Sequence, residues 1–182
     1  MFFFQLGLYE HETAEANMFT VCLRKKSKTV YQQALTTRRP KAKGLKFWNM
    51  AYHGEHATYH ALYPQSWTVY NLPSQNVKLT CHQVSPIIPH NYKDSSLPAT
   101  IFDWTIENNN SEEIELSLMF TWQSGTSGKT FQLTDVKSEP FKCSNFDVDA
   151  SGVVLGQKLK NMNLDYCVAV KNVCLYMNNH EI

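Results

Sequence analysis

Four groups of residues have the types and spacing that chemistry needs, and each lacks at least one element of its pattern. Ser124 to Thr130, SGTSGKT, ends as a phosphate-cradling loop does, in Gly128-Lys129-Thr130. The loop also needs a glycine five places before Gly128, where Gln123 stands, and a following helix whose N-terminus meets the phosphates. Asp147 to Gly152, DVDASG, opens like a calcium loop, but its twelfth place is Lys158 where a bidentate Glu belongs, so a polar turn is expected. His53, Glu55, His56 and His60 form the densest ligand-type cluster. Helical zinc enzymes need His-Glu-x-x-His, and here Glu55 precedes His56. On a strand, His56 and His60 would stand ~13 Å apart, too far to share an ion. Carboxylates for sugar hydrolysis must face each other at ~5–9.5 Å. Glu107, Glu113 and Glu115 flank a hairpin tip or a polar strand face, where solvated charge is expected, and Asp103 sits between Phe102 and Trp104 as a sheet acid expected to be ion-paired. No nucleophile elbow is present, and no cysteine has an activating neighbourhood. We therefore expect no catalytic residue, no metal site and no cofactor.

The elements around these groups are strands. Phe19, Val21 and Leu23 alternate with polar neighbours, Lys25 to Lys28 forms a turn, and Thr29 to Leu35 returns as the second arm of a hairpin. Tyr59, Ala61 and Tyr63 share one strand face; Val77, Leu79 and Cys81 share another. Phe102, Trp104 and Ile106 are expected inward, followed by an Asn-rich hairpin loop from Glu107 to Glu112. Ile114, Leu116, Leu118, Phe120 and Trp122 make the clearest alternation in the chain. After Ser124 the pattern weakens, and Val153 to Leu164 could supply a short helix. Many short strands between turn clusters imply an all-β fold, an antiparallel β-sandwich.

One connection stands apart from this scheme. Ser85 to Pro98 carries Pro86, Pro89 and Pro98, which fix φ and cannot donate to a ladder. It also carries Ile87, Ile88, Tyr92 and Leu97, apolar residues that need a surface to meet.

Composition bounds the rest. The 182 residues fit a single domain with a real core, and a net charge of +1 gives no broad electrostatic case for nucleic acid or an anionic membrane. No stretch approaches the ~20 apolar residues of a spanning helix, and MFFFQLGLYE lacks the features of a signal peptide. Five widely spaced cysteines suggest reduced thiols in a cytosolic setting, where the Asn109-Asn110-Ser111 sequon would stay unmodified. The basic Thr36 to Gly44 loop, with Arg38, Arg39, Lys41 and Lys43, is read as solvated, with a lipid-headgroup contact as its functional alternative.

The segments NMFTVCLRKKSKTVYQQAL, YHALYPQSWTVYNLPSQNVKLTCHQVSPIIPHNYKDSSLPATIFDWTIEN and EIELSLMFTW carry a more specific signal. They resemble the N-terminal domain of the non-lysosomal glucosylceramidases (bile-acid β-glucosidases) of glycoside hydrolase family 116. The likeness is close from Leu6 to Trp122, most distinctive over Pro89 to Pro98, and faint from Ser124 onward. It implies an N-terminal β-sandwich packed on a C-terminal catalytic (α/α)6 barrel that removes glucose from glucosylceramide with retention. The nucleophile Glu and the acid/base Asp of such enzymes lie in the barrel, so no catalytic residue is carried onto any position here. The implied partners are that barrel and, through the whole enzyme, glucosylceramide, with Ile87, Ile88, Tyr92 and Leu97 as interdomain contacts. The implied location is cytoplasmic, peripheral to the ER, Golgi or plasma membrane. MFFFQ replaces the Gly-rich segment of the family, and the last residues stop before the sandwich should close. Residues 1–182 are therefore expected to be a fragment of the sandwich domain, incomplete at both ends. The alternative is a stand-alone carbohydrate- or lipid-binding sandwich, with Trp67 or Tyr70 stacking on sugar.

Overall fold

The computed structural model describes residues 17–37, 48–122, 133–145, 148–159 and 162–171. They divide into two compact units, residues 18–120 and a second unit that begins at Thr121. The first begins with β1 (Met18–Lys25) and β2 (Lys28–Ala34), antiparallel arms of the expected hairpin. Lys25 pairs with Lys28, so the loop has two residues, Lys26 and Ser27, both at positive φ (48° and 63°). A two-residue turn needs that conformation to match the strand twist, and it normally recruits Asn and Gly because a Cβ opposes it. Val30 bulges out of register between the pairs Leu23–Tyr31 and Arg24–Thr29.

Then follow β3 (Ala57–Leu62), β4 (Gln65–Leu72), β5 (Val77–Val84), a one-turn helix α1 (Tyr92–Ser95), β6 (Ile101–Asn108) and β7 (Glu115–Thr121). They form two sheets, ordered β2-β1-β7 and β3-β4-β5-β6. Val21 and Leu23 from the first sheet and Leu72, Val77 and Leu79 from the second form one buried cluster with Leu35 and Tyr52. Leu116, Leu118, Trp104 and Ile106 pack against it. This is an all-β sandwich, and the residues assigned inward on β5, β6 and β7 by their alternation do face its core.

The edge of the core is aromatic. Phe19 of β1 lies 4.9 Å from Trp104 and 5.3 Å from Phe102, both edge-on, and 4.7 Å from Phe120 of β7. On the other face of the hairpin, Met18 and Ala34 bury against Met50, with Trp48 packed alongside. The chain is held there by Ala34 N–H and Gln33 Nε2, which both donate to Asn49 O, at 2.9 and 2.8 Å.

The second unit holds β8 (Leu133–Asn145), β9 (Val148–Leu159) and β10 (Met162–Lys171), antiparallel in that order. This corrects two expectations. Residues 153–159 and 162–164 are strand, not a short helix, and residues 148–152 are strand, not a polar turn. Gly152 is there because of close approach. A Cβ at that position would come 2.4 Å from the backbone oxygen of Val168 and 2.7 Å from the Phe141 ring. Residues 123–130, with the SGTSGKT segment, lie outside the described residues, as do residues 38–47, 173–177 and Asp147.

Replacing Lys26 and Ser27 by Asn and Gly should stabilise the chain by about 1–2 kcal/mol, because the strained φ values then cost less. A higher urea midpoint with unchanged slope is the expected result. Leu79, fully buried, should conversely cost about 2–5 kcal/mol when truncated to Ala.

Candidate functional site

The sequence-derived ligand and acid groups do not converge. His56 Nε2 lies 3.8 Å from Glu55 Oε1, and the rings of His53 and His56 are 6.2 Å apart. His60 belongs to β3 and faces Trp67 of β4. Among the described residues no three ligand-type side chains gather. The acids are spread in the same way. Glu107 pairs with Lys78 at 2.7 Å, Glu115 with Arg24 at 2.9 Å and Glu112 with Lys25 at 3.4 Å, all at the surface. Such exposed pairs contribute ~0–1 kcal/mol each. Asp103 is exposed on β6 opposite His82, and no ion pair reaches it among the described residues, contrary to the expectation of a salt-bridged sheet acid. Asp103 and Glu107 share a strand face four residues apart, ~13 Å by strand rise, beyond the span of a carboxylate pair.

Thiol chemistry is suppressed at the core. Burial pushes the Cys81 thiol from its ordinary 9.0 up to about 12, and the Asp103 carboxylate adds to the rise. Burial likewise takes the hydroxyls of Tyr52 and Tyr70 to about 12. A neutral buried thiol is a poor nucleophile.

The aromatics considered for sugar stacking are engaged within the fold. Tyr70 packs on the core, 5.7 Å from Tyr52 and 6.1 Å from Trp104. Trp67, on the outer face of β4, lies parallel to His82 of β5, centroids 4.8 Å apart and planes 3° apart. His82 Nε2 is in turn 2.9 Å from Gln65 Oε1, which fixes the ring. Trp67 thus has one face covered by its neighbour.

The connection from β5 to β6 behaves differently. It turns its polar groups onto itself. Ile88 N–H donates to Ser95 Oγ at 2.8 Å, and that hydroxyl donates back to Ile88 O at 3.0 Å. Asn91 caps α1 by accepting from Asp94 N–H at 3.1 Å, while its Nδ2 donates to Asp94 Oδ2 at 2.7 Å, a reciprocal cap. Ser96 Oγ donates to Tyr92 O at 2.6 Å. His90 holds φ of 64°, which shapes the loop just before the cap. The base is tied down as well, since Ser85 N–H donates to Pro64 O at 3.1 Å.

With the polar groups folded in, the apolar ones face out. Ile87 is 43 % exposed, Ile88 47 %, Leu97 57 % and Tyr92 86 %. Sequence reading singled out these four, but it missed three others: Leu62, Tyr63 and Ile101, at 70, 83 and 56 %. The signal was there for Ile101. If Phe102, Trp104 and Ile106 point inward, an isoleucine at 101 must point out. Clustered exposed apolar side chains mark an interaction surface, whereas single ones do not.

Two measurements check the thiol and hydroxyl environments. Cys81 should resist a thiol reagent at pH 8 in the native state while exposed Cys167 reacts. Equal labelling rates would contradict the burial. Between pH 9 and 12 the folded chain keeps protons on Cys81, Tyr52 and Tyr70 that the unfolded chain loses. Their contribution is full below pH 9, and stability falls as pH rises through that window. Cys81→Ala should flatten the part of that fall between pH 9 and 10.

Comparison with known families gives the sandwich its relation. A family model described as beta-glucosidase 2, glycosyl-hydrolase family 116 N-term, matches residues 2–181. The match runs through the stretch after Ser124, where the likeness of sequence is faint. The chain therefore belongs to the family of N-terminal domains of glycosyl hydrolase family 116.

Proposed function

We propose that this chain is the non-catalytic sandwich of a non-lysosomal glucosylceramidase and that it seats the enzyme's catalytic domain. The reaction assigned to the parent enzyme is hydrolysis of glucosylceramide to glucose and ceramide with retention. The observation that carries the docking role is the connection between β5 and β6, which satisfies its own hydrogen bonds and offers Ile87, Ile88, Tyr92 and Leu97 outward. A loop with no partner gains nothing from that arrangement, because exposing apolar side chains to water is the unfavourable direction.

Cytosol-facing, peripheral membrane association belongs to the same proposal. It draws support from the resemblance stated above and from Cys22, Cys81, Cys143 and Cys167 being thiols. No helix of the described residues is long and apolar enough to cross a membrane. A stand-alone sugar-binding role is disfavoured by Tyr70 in the core and by the Trp67–His82 stack.

The purified chain should show no β-glucosidase turnover, and measurable turnover would end the non-catalytic reading. It should associate with a separately expressed catalytic domain of a family 116 enzyme. Ile88→Asp and Tyr92→Ala should each weaken that association by about tenfold or more, since anchors at interface centres typically contribute above 1 kcal/mol. Unchanged affinity in both variants would reject docking through this loop. Titration with glucosylceramide liposomes tests the lipid-binding alternative, for which saturable binding is the required outcome.

A further inference from the structure

We infer that the docking surface is wider than the loop: one continuous apolar band that also takes in Leu62, Tyr63 and Ile101 at the open end of the four-stranded sheet, with the catalytic domain of the same enzyme as its occupant. The inference rests on the docking role proposed above and extends it to a part of the fold that sequence reading assigned only to strands.

The register builds the band. Leu62 pairs with Gln65, Gln65 with Val84 and Val84 with Ile101, so these four form a single row across β3, β4, β5 and β6. Three strand spacings make the row about 14 Å wide. Parity fixes its face. Ala57, Leu72, Leu79 and Trp104 meet the core, and each is an odd number of residues from its strand's member of the row. The row therefore lies on the outer face of the sheet. It is also the sheet's last row: Tyr63 follows Leu62 in the turn to β4, and Ser85 follows Val84 into the loop. Pro64 O accepts from Ser85 N–H, and Thr100 Oγ1 approaches both Val84 O and Gln83 Nε2 at 3.4 Å. The turn, the row and the base of the loop are thus one hydrogen-bonded assembly. Loop and row both expose aliphatic and aromatic side chains at this end of the sheet.

Charge favours a tethered protein partner. Residues 62–65 and 84–101 contain one Lys or Arg, Lys93. An anionic lipid surface selects for clusters of four or more such residues. A freely diffusing partner gains its encounter rate from complementary charge, while a domain on the same polypeptide meets its site at high effective concentration without it. An apolar, nearly uncharged band fits the second case.

The test uses the full chain and the separately expressed catalytic domain of a family 116 β-glucosidase, with affinity measured by calorimetry at low and high salt. Leu62→Asp and Ile101→Asp should each weaken association at least tenfold, as Ile88→Asp does, with little dependence on salt. Thr58→Asp, exposed on the same face four residues before Leu62, should leave it unchanged. Leu62→Gln and Ile101→Thr, which suit an exposed strand better, should reproduce the direction of the loss if the Asp variants unfold. If loop variants weaken association and variants of the row do not, this inference falls and the docking role stands. If neither set does, or the parent chain does not associate, both fall. Should the row variants instead abolish self-association in sedimentation, or binding to glucosylceramide vesicles, the occupant is a second copy or a lipid surface and the inference is overturned.

Discussion

The first unit depends on the meeting of β1 with the inner face of β4, β5 and β6. Val21, Leu23, Leu72, Val77 and Leu79 are nearly or wholly removed from water there, and among the described residues no other contact between the two sheets buries comparable side chains as fully. Burying such side chains contributes ~1.5–3 kcal/mol apiece, which gives the sheets a fixed separation and register. Everything on the outer face inherits its position from this contact. A one-residue slip of β5 would send Leu79 outward and His82 inward, away from Trp67 of β4. The same burial that secures the core also keeps Cys81 protonated, so structural and chemical consequences come from one cause.

Polar groups are handled locally. The Asn-rich segment after β6 is an example: Asn109 N–H donates to Asn76 O at 3.0 Å, Asn76 Nδ2 donates to Asn109 O at 2.6 Å, and Asn110 Nδ2 donates to Gln75 O at 2.8 Å. The asparagines there lock one turn to another, which accounts for their number without any ligand.

Much of the first unit was legible because its strands alternate cleanly. Ile114, Leu116, Leu118 and Phe120 sit against Glu113, Glu115 and Ser117, a pattern that only a half-buried strand explains. The second unit was obscured by several residues that break the period. Pro140 stands inside β8, which is acceptable because β8 is at the edge of its three-stranded sheet. Val153, Val154 and Leu155 are three apolar residues in succession, and Gly152 and Gly156 interrupt β9. Gly152 answers to Phe141 and Val168, eleven and sixteen residues away in the chain, and no local window contains that relation. The proposed docking surface was half legible. Proline and isoleucine in one loop were conspicuous, but Leu62 and Ile101 become neighbours of that loop only when four strands are placed in register.

The reciprocal cap of Asn91 and Asp94 and the double contact of Ser95 with Ile88 mean that the loop has its shape before anything touches it. Ordering a segment during association costs roughly 0.5–1.5 kcal/mol for each side chain immobilised, and a segment already ordered avoids much of that loss. The loop is in this sense preorganised: its entropy is surrendered when the chain folds, and the encounter with a partner can proceed between two finished shapes. Assembly of the enzyme would then be a docking of rigid bodies, with the order of events set by which domain folds first.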